Sequence, residues 1–93
     1  MLTHVVLFTL KDPADIDATA ALLRGMEGRI PALLGVEVGV DAFPDHRSPH
    51  IALITRHDDA AGLAAYAGHP VHQEVIAHMK QVVASAVKVD ALS

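Results

Sequence analysis

The residues best suited to chemistry in this sequence are its histidines, of which there are seven in 93 residues. A neutral imidazole can take a proton from a carbon next to a carbonyl group, or polarise the carbonyl oxygen through its N–H group. The chain has no cysteine, which excludes disulfides, thiolate metal sites and a cysteine nucleophile. The composition therefore favours acid–base chemistry by histidine over thiol chemistry.

A metal site is one alternative use of these histidines. His69 and His72 are three residues apart, a spacing that can place both imidazoles on one helical face. His50 can add a third ligand, and three histidines can bind zinc. Pro70 lies between the pair at a helix start, however, and Glu74 is the one obvious carboxylate nearby. We therefore predict no cofactor and no metal, with zinc as the alternative.

The remaining histidines have simpler interpretations. His46 and His57 lie at loop and strand ends, where we expect them to be solvated. His78 follows Glu74 by four residues, which predicts a pair on a helix surface. His69 stands at a helix start, which favours a structural role.

The elements that must position these residues follow from the hydrophobic pattern of a single domain spanning residues 1–93. Strands are predicted at Thr3–Leu10, Leu33–Val40, His50–Arg56 and Val82–Val89. Helices are predicted at residues 14–29 and 58–68, with a helical turn restarting at residues 69–70 and continuing to residue 79. The resulting β-α-β-β-α-β order is typical of the ferredoxin-like fold, an α+β architecture with helices on one face of an antiparallel sheet.

The predicted sheet has more apolar surface than its helices can cover. The first, third and fourth strands are apolar on both sides, and only one side can meet the helices. The mean hydropathy of +0.35 is high for so small a chain, and exposed apolar patches usually mark interfaces. Two sheets packed face to face bury the second side. The sequence therefore predicts a homodimer that pairs through the sheet.

Composition argues against several other partners. The longest apolar runs, such as Val5–Phe8 and Ile51–Ile54, are far shorter than the roughly 20 residues of a spanning helix. The sequence opens in a strand pattern without the features of a signal peptide, so we expect a cytoplasmic protein. Its net charge is −4 and its seven lysines and arginines are scattered. We therefore expect neither membrane nor nucleic-acid binding.

Several segments together carry a resemblance to a known family. They are Thr3–Phe8, Ile30–Leu33, Val36–Gly39, His50–Leu53 and Tyr66–His72. The last of these, YAGHPVH, is similar to the Tyr-x-x-His-Pro-x-His motif of the stress-responsive α/β-barrel (Dabb) domain family. The resemblance extends from residue 3 to about residue 90, and it implies a dimeric ferredoxin-like barrel.

The resemblance also implies candidate site residues. Most members of the family have no assigned activity, but one plant member is a polyketide cyclase that closes a ring by aldol chemistry without a cofactor. Its working residues are histidines and a tyrosine, and the matching positions in this chain are His4, His50, Tyr66 and His72. The resemblance thus implies that these four residues are catalytic and act on a small hydrophobic carbonyl compound held between sheet and helices.

Three functions remain open on the sequence alone. The chain can be an enzyme in which His4 and His50 point toward the helices and enter the same layer as Tyr66 and His72. It can be a module that binds such compounds without turnover. It can also be a structural stress-response homodimer whose histidines are packing residues.

Overall fold

Three helices pack on one face of a four-stranded antiparallel sheet in the computed structural model, which describes all residues from Met1 to Ser93. The elements are β1 (Leu2–Leu10), a 3-10 turn (Pro13–Asp15), α1 (Ile16–Arg24), β2 (Gly35–Val40), β3 (Ile51–His57), α2 (Ala60–Gly68), α3 (Pro70–Val82) and β4 (Val83–Leu92). The strand order is β2-β3-β1-β4. The predicted α+β, ferredoxin-like fold is thereby confirmed. None of the helices has both the length and the apolar character needed to cross a membrane.

The first helix is shorter than its hydrophobic pattern predicted. It ends at Arg24 instead of residue 29, because the N–H groups of Met26 and Glu27 bond three residues back instead of four and turns follow. Gly28 has a φ of 76°, a left-handed conformation that glycine adopts without steric cost. The apolar periodicity continued past the helix because Met26 is buried from these turns.

The junction between α2 and α3 sets the position of the candidate site. Asp59 caps α2 by accepting a hydrogen bond from the Gly62 N–H group at 2.8 Å. His69 then adopts an extended conformation and accepts at Nδ1 from the Val71 N–H group at 3.1 Å, with Pro70 as the first residue of α3. The predicted structural role of His69 is confirmed, because its ring caps the N-terminus of α3 through this hydrogen bond.

The helix-facing side of the sheet forms the core. On β1 this side carries Leu2, Val6 and Leu10, all buried, with His4 between the first two. On β3 it carries alternate residues from Ile51 to His57, which are all buried as well. The cluster of twelve buried apolar residues includes Leu23 of α1, Tyr66 of α2 and Met79 of α3.

The opposite side of the sheet, which we call the outer face, is also apolar. Strand pairing aligns Ile54, Val5 and Val89 in one row across β3, β1 and β4. A second row consists of Ala52, Leu7 and Val87. No helix covers these rows, and Val87 and Val89 are 63% and 64% exposed. In the folded sheet, the apolar residues on the second side of these strands thus form a continuous surface that no helix covers.

Candidate functional site

A cavity of about 310 Å³ lies between the helix-facing side of the sheet and the helices α2 and α3. Its walls are mostly apolar and include Val6, Phe8, Leu53 and Ile76. Its polar lining residues are His4, Tyr66, His72 and Lys88. The cavity therefore brings together three of the four site residues that the sequence predicted.

His72 presents a free ring nitrogen in this cavity. Its Nδ1–H group donates to the carbonyl oxygen of Ala67 at 2.9 Å, so the neutral ring carries its lone pair on Nε2. Burial lowers the pKa of His72, the hydrogen bond to Ala67 opposes this, and the nearby charge of His4 adds to the lowering. His72 is therefore neutral near pH 7 and suited to act as a base.

Tyr66 lines the cavity and is only 2% exposed. Its ring lies between those of His57 and His72, with centroid distances of 4.9 Å and 4.4 Å. The hydroxyl donates to the sulfur of Met26 at 3.9 Å, which is a weak acceptor. Burial raises the pKa of Tyr66 to about 12, so the hydroxyl stays protonated and can donate to a ligand oxygen.

His4 is held by the carboxylate of Asp90, which no sequence pattern indicated. Its Nδ1–H group donates to Asp90, which lies opposite it in the β1–β4 pair. Lys88 donates to the other oxygen of that carboxylate at 2.5 Å. These hydrogen bonds, the one from Lys88 first, lower the pKa of Asp90. In the neutral form of His4, Asp90 thereby holds the proton on Nδ1 and leaves Nε2 free.

His50 does not join the other three residues, and the expectation that it enters their layer is wrong. Side chains alternate along a strand, and His50 has the same parity as Ala52 and Ile54, which face away from the helices. Its Nδ1 atom accepts a hydrogen bond from the Leu10 N–H group at 2.9 Å. The ring lines a separate cavity of about 360 Å³ that also contains Asp41.

The zinc alternative is not supported by this arrangement either. His50 and His72 lie in different cavities, and the ring of His69 caps α3. No group of three or more histidine, cysteine, aspartate or glutamate side chains is arranged to hold a metal ion.

Comparison with known proteins assigns the chain to a family. The family model for the stress responsive A/B barrel domain (Dabb) matches residues 2–92. The chain belongs to this family. No match was found among curated protein sequences.

Solved structures resemble this Dabb domain over nearly its whole length. A dimeric ferredoxin-like protein of unknown function from Thermobifida fusca is 24% identical, with a TM-score of 0.86 and coverage of 99% of this chain and 90% of that chain. A Dabb family protein from Mesorhizobium loti is 19% identical, with a TM-score of 0.84 and coverage of 99% and 95%. A hydroxynitrile lyase from Passiflora edulis is 16% identical, with a TM-score of 0.83 and coverage of 99% and 92%. At these identities the likeness concerns the fold.

His57 is the histidine of this Dabb domain whose position differs most from the prediction. It is fully buried instead of solvated. Its Nδ1–H group donates to the carbonyl oxygen of Ala32 at 2.9 Å, and Thr55 donates its hydroxyl proton to Nε2 at 2.9 Å. His57 shares a face of β3 with Ile51, Leu53 and Thr55, but the sequence did not indicate that this face meets the helices. Its contact with Tyr66 makes it part of the wall behind the cavity.

His78 also differs from its prediction. Its Nε2 atom is hydrogen-bonded to the hydroxyl of Thr19 at 3.0 Å, so it joins α3 to α1 instead of pairing with Glu74 on the surface. Thr19 is fully buried, which makes this hydrogen bond part of the helix packing. Only His46 among the loop and surface histidines is exposed as predicted.

Proposed function

We propose that this Dabb domain binds a small hydrophobic carbonyl compound in the cavity between its sheet and its helices. One observation carries the proposal. The apolar cavity is lined by His72, whose Nε2 has no hydrogen-bond partner, and by Tyr66, whose hydroxyl has a thioether as its one partner. Apolar walls with a few convergent polar groups are the usual composition of a small-molecule site.

We further propose that the two groups act on the ligand by acid–base catalysis without a cofactor. Nε2 of His72 takes a proton from the carbon next to the carbonyl group as that C–H bond breaks. The electron pair moves to the carbonyl oxygen, and Tyr66 donates a hydrogen bond to the resulting enolate. His72 then returns the proton to the same carbon or delivers it to another atom of the ligand. No electrons leave or enter the ligand, so the step needs no oxidant.

A protein of similar fold performs related chemistry. A hydroxynitrile is an adduct of a carbonyl compound, and the Passiflora edulis protein is a hydroxynitrile lyase. At 16% identity it supports only the suitability of this fold for carbonyl chemistry.

Binding can be tested by titrating the protein with 2-octanone while methyl resonances are followed by NMR. Val6 and Ile76 report on the proposed site, whereas Val40 and Ile51 report on the separate cavity beside His50. We expect saturable shifts at the first pair and none at the second. Shifts confined to the second pair, or no saturable shifts, contradict the proposal and favour the structural stress-response alternative.

We also propose that the protein is a homodimer that pairs through the outer face. The support is the pair of apolar rows that no helix covers, formed by Ile54, Val5 and Val89 and by Ala52, Leu7 and Val87. The similar protein from Thermobifida fusca is described as dimeric. The cytoplasm stays the predicted location and is compatible with a chain that lacks cysteine.

A further inference from the structure

Lys88 is the one lysine or arginine among the residues that line the cavity. It lies on β4 opposite Val6 of β1, so it stands on the helix-facing side of the sheet. The helices leave this strand uncovered, and the Lys88 side chain is 64% exposed. Lys88 therefore adds a charged side chain at the open edge of a mostly apolar cavity.

The position of this ammonium group is restrained. Its hydrogen bond to Asp90 at 2.5 Å uses one of its three N–H donors and leaves two for another acceptor. Asp90 in turn accepts from His4 through its other oxygen, so each carboxylate oxygen already faces a donor. Lys88 is thus connected through Asp90 to the imidazole of His4 and has unused hydrogen-bonding capacity.

We infer that Lys88 selects ligands that carry a carboxylate, so that the substrate class of this site is a hydrophobic keto acid. This inference rests on the proposed function. The apolar body of the ligand contacts Phe8 and Ile76, and its carboxylate accepts from Lys88 at the edge of the cavity. A charge-assisted hydrogen bond of this kind favours the acid over a neutral compound of the same shape.

The protein contains its own reporter for the test. Tyr66 is the single tyrosine, there is no tryptophan, and Tyr66 lines the cavity. Its fluorescence can therefore be titrated with 2-oxooctanoate and, separately, with methyl 2-oxooctanoate, which has the same chain without the charge. We expect the acid to bind about fivefold more tightly than the ester, since charge pairs at an exposed edge contribute modestly. Added salt should reduce this preference by screening.

The comparison uses the unmodified chain and three variants. Lys88→Met should bind both compounds with equal affinity, whereas Lys88→Arg should keep the preference for the acid because it keeps the charge. Lys80→Met removes an exposed lysine of α3 that does not line the cavity, and it should behave like the unmodified chain. Circular dichroism checks that each variant is folded.

The outcomes separate the two proposals. A preference for the acid that Lys88→Met loses and Lys80→Met keeps supports the role of Lys88. Equal binding of acid and ester by the unmodified chain overturns that role but leaves the carbonyl-binding site intact. Failure of both compounds to change Tyr66 fluorescence at saturating concentrations overturns the carbonyl-binding site and the role of Lys88 together.

Discussion

Asp90 lies directly opposite His4 in the β1–β4 pair, and its carboxylate accepts a hydrogen bond from the Nδ1–H group of the imidazole. The two residues are separated by 86 positions in the sequence, so this contact exists only because the last strand pairs with the first. It gives His4 a defined tautomer at the edge of the cavity and connects it to Lys88.

The hydrogen bonds to Asp90 predict a specific dependence of stability on pH. The pKa of Asp90 is lowered by Lys88 and then by His4 in the folded protein. A lowered carboxyl pKa stabilises the fold above the unfolded-state value of about 4. This stabilisation is lost as the pH falls through the lower, folded-state value. Because Asp90 is exposed to solvent, the effect is small.

Asp90→Asn should therefore unfold at lower urea concentration than the unmodified chain at pH 7. The difference should disappear in strong acid, where both side chains are neutral. Urea unfolding at a series of pH values measures this. A difference that does not change with pH shows that Asp90 acts on stability without its charge.

His72 should titrate below its ordinary pKa. Burial in the cavity wall disfavours the imidazolium form, and the neighbouring His4 charge acts in the same direction. An NMR pH titration of the ring Hε1 signal should give a midpoint below 6.5. In stability terms, the unfolded chain binds this proton more readily, so His72 destabilises the fold as the pH falls from about 6.5 through the folded-state value. A midpoint at or above 6.5 contradicts a neutral His72 base.

His57 should contribute more to stability than an exposed histidine. His57→Ala leaves the carbonyl of Ala32 and the hydroxyl of Thr55 without partners and opens a void beside Tyr66. We expect a loss of about 3 kcal/mol of unfolding free energy. His46→Ala, at an exposed loop position, should change it by less than about 0.5 kcal/mol. Equal effects of the two substitutions in urea unfolding contradict the structural role of His57.

The outer face should mediate dimer formation. Val89→Glu places a charge in the row formed with Val5 and Ile54. In the proposed dimer, a two-fold axis places the same charge on the partner. Buried like charges cost several kcal/mol, so the dimer Kd should rise more than about 100-fold. Ala77→Glu, at an exposed position of α3, should leave the dimer unchanged. Light scattering after size-exclusion chromatography distinguishes the two, and a dimeric Val89→Glu variant refutes the assignment of this face.

The candidate site could be predicted from the sequence only as far as the sequence shows which face of each strand meets the helices. The strands themselves and the structural role of His69 at a helix start followed from local patterns. The sequence did not indicate which side of β3 meets the helices, because Ala52 and Ile54 are as apolar as Ile51 and Leu53. Reversing the face exchanges His50 for His57 in the helix-facing layer. Packing against the helices decides this, and a single sequence does not contain that information.

The charged edge of the cavity was unpredictable for a related reason. Asp90 lay beyond the predicted end of the last strand, which continues to Leu92 in the structure. Its contact with His4 depends on the register between the first and the last strand. Polar contacts across strands distant in sequence follow from that register and have no local pattern.

Deuterium exchange of 2-octanone in D₂O tests the central claim most directly, because exchange at the carbons next to the carbonyl is the proposed proton-transfer step itself. The unmodified chain and His46→Ala should accelerate exchange equally, measured by NMR. His72→Ala should reduce the rate by about 100-fold or more, the usual contribution of a positioned base. If His72→Ala exchanges as fast as the unmodified chain, or if the unmodified chain is no faster than free imidazole at the same histidine concentration, the proposed chemistry at His72 is contradicted.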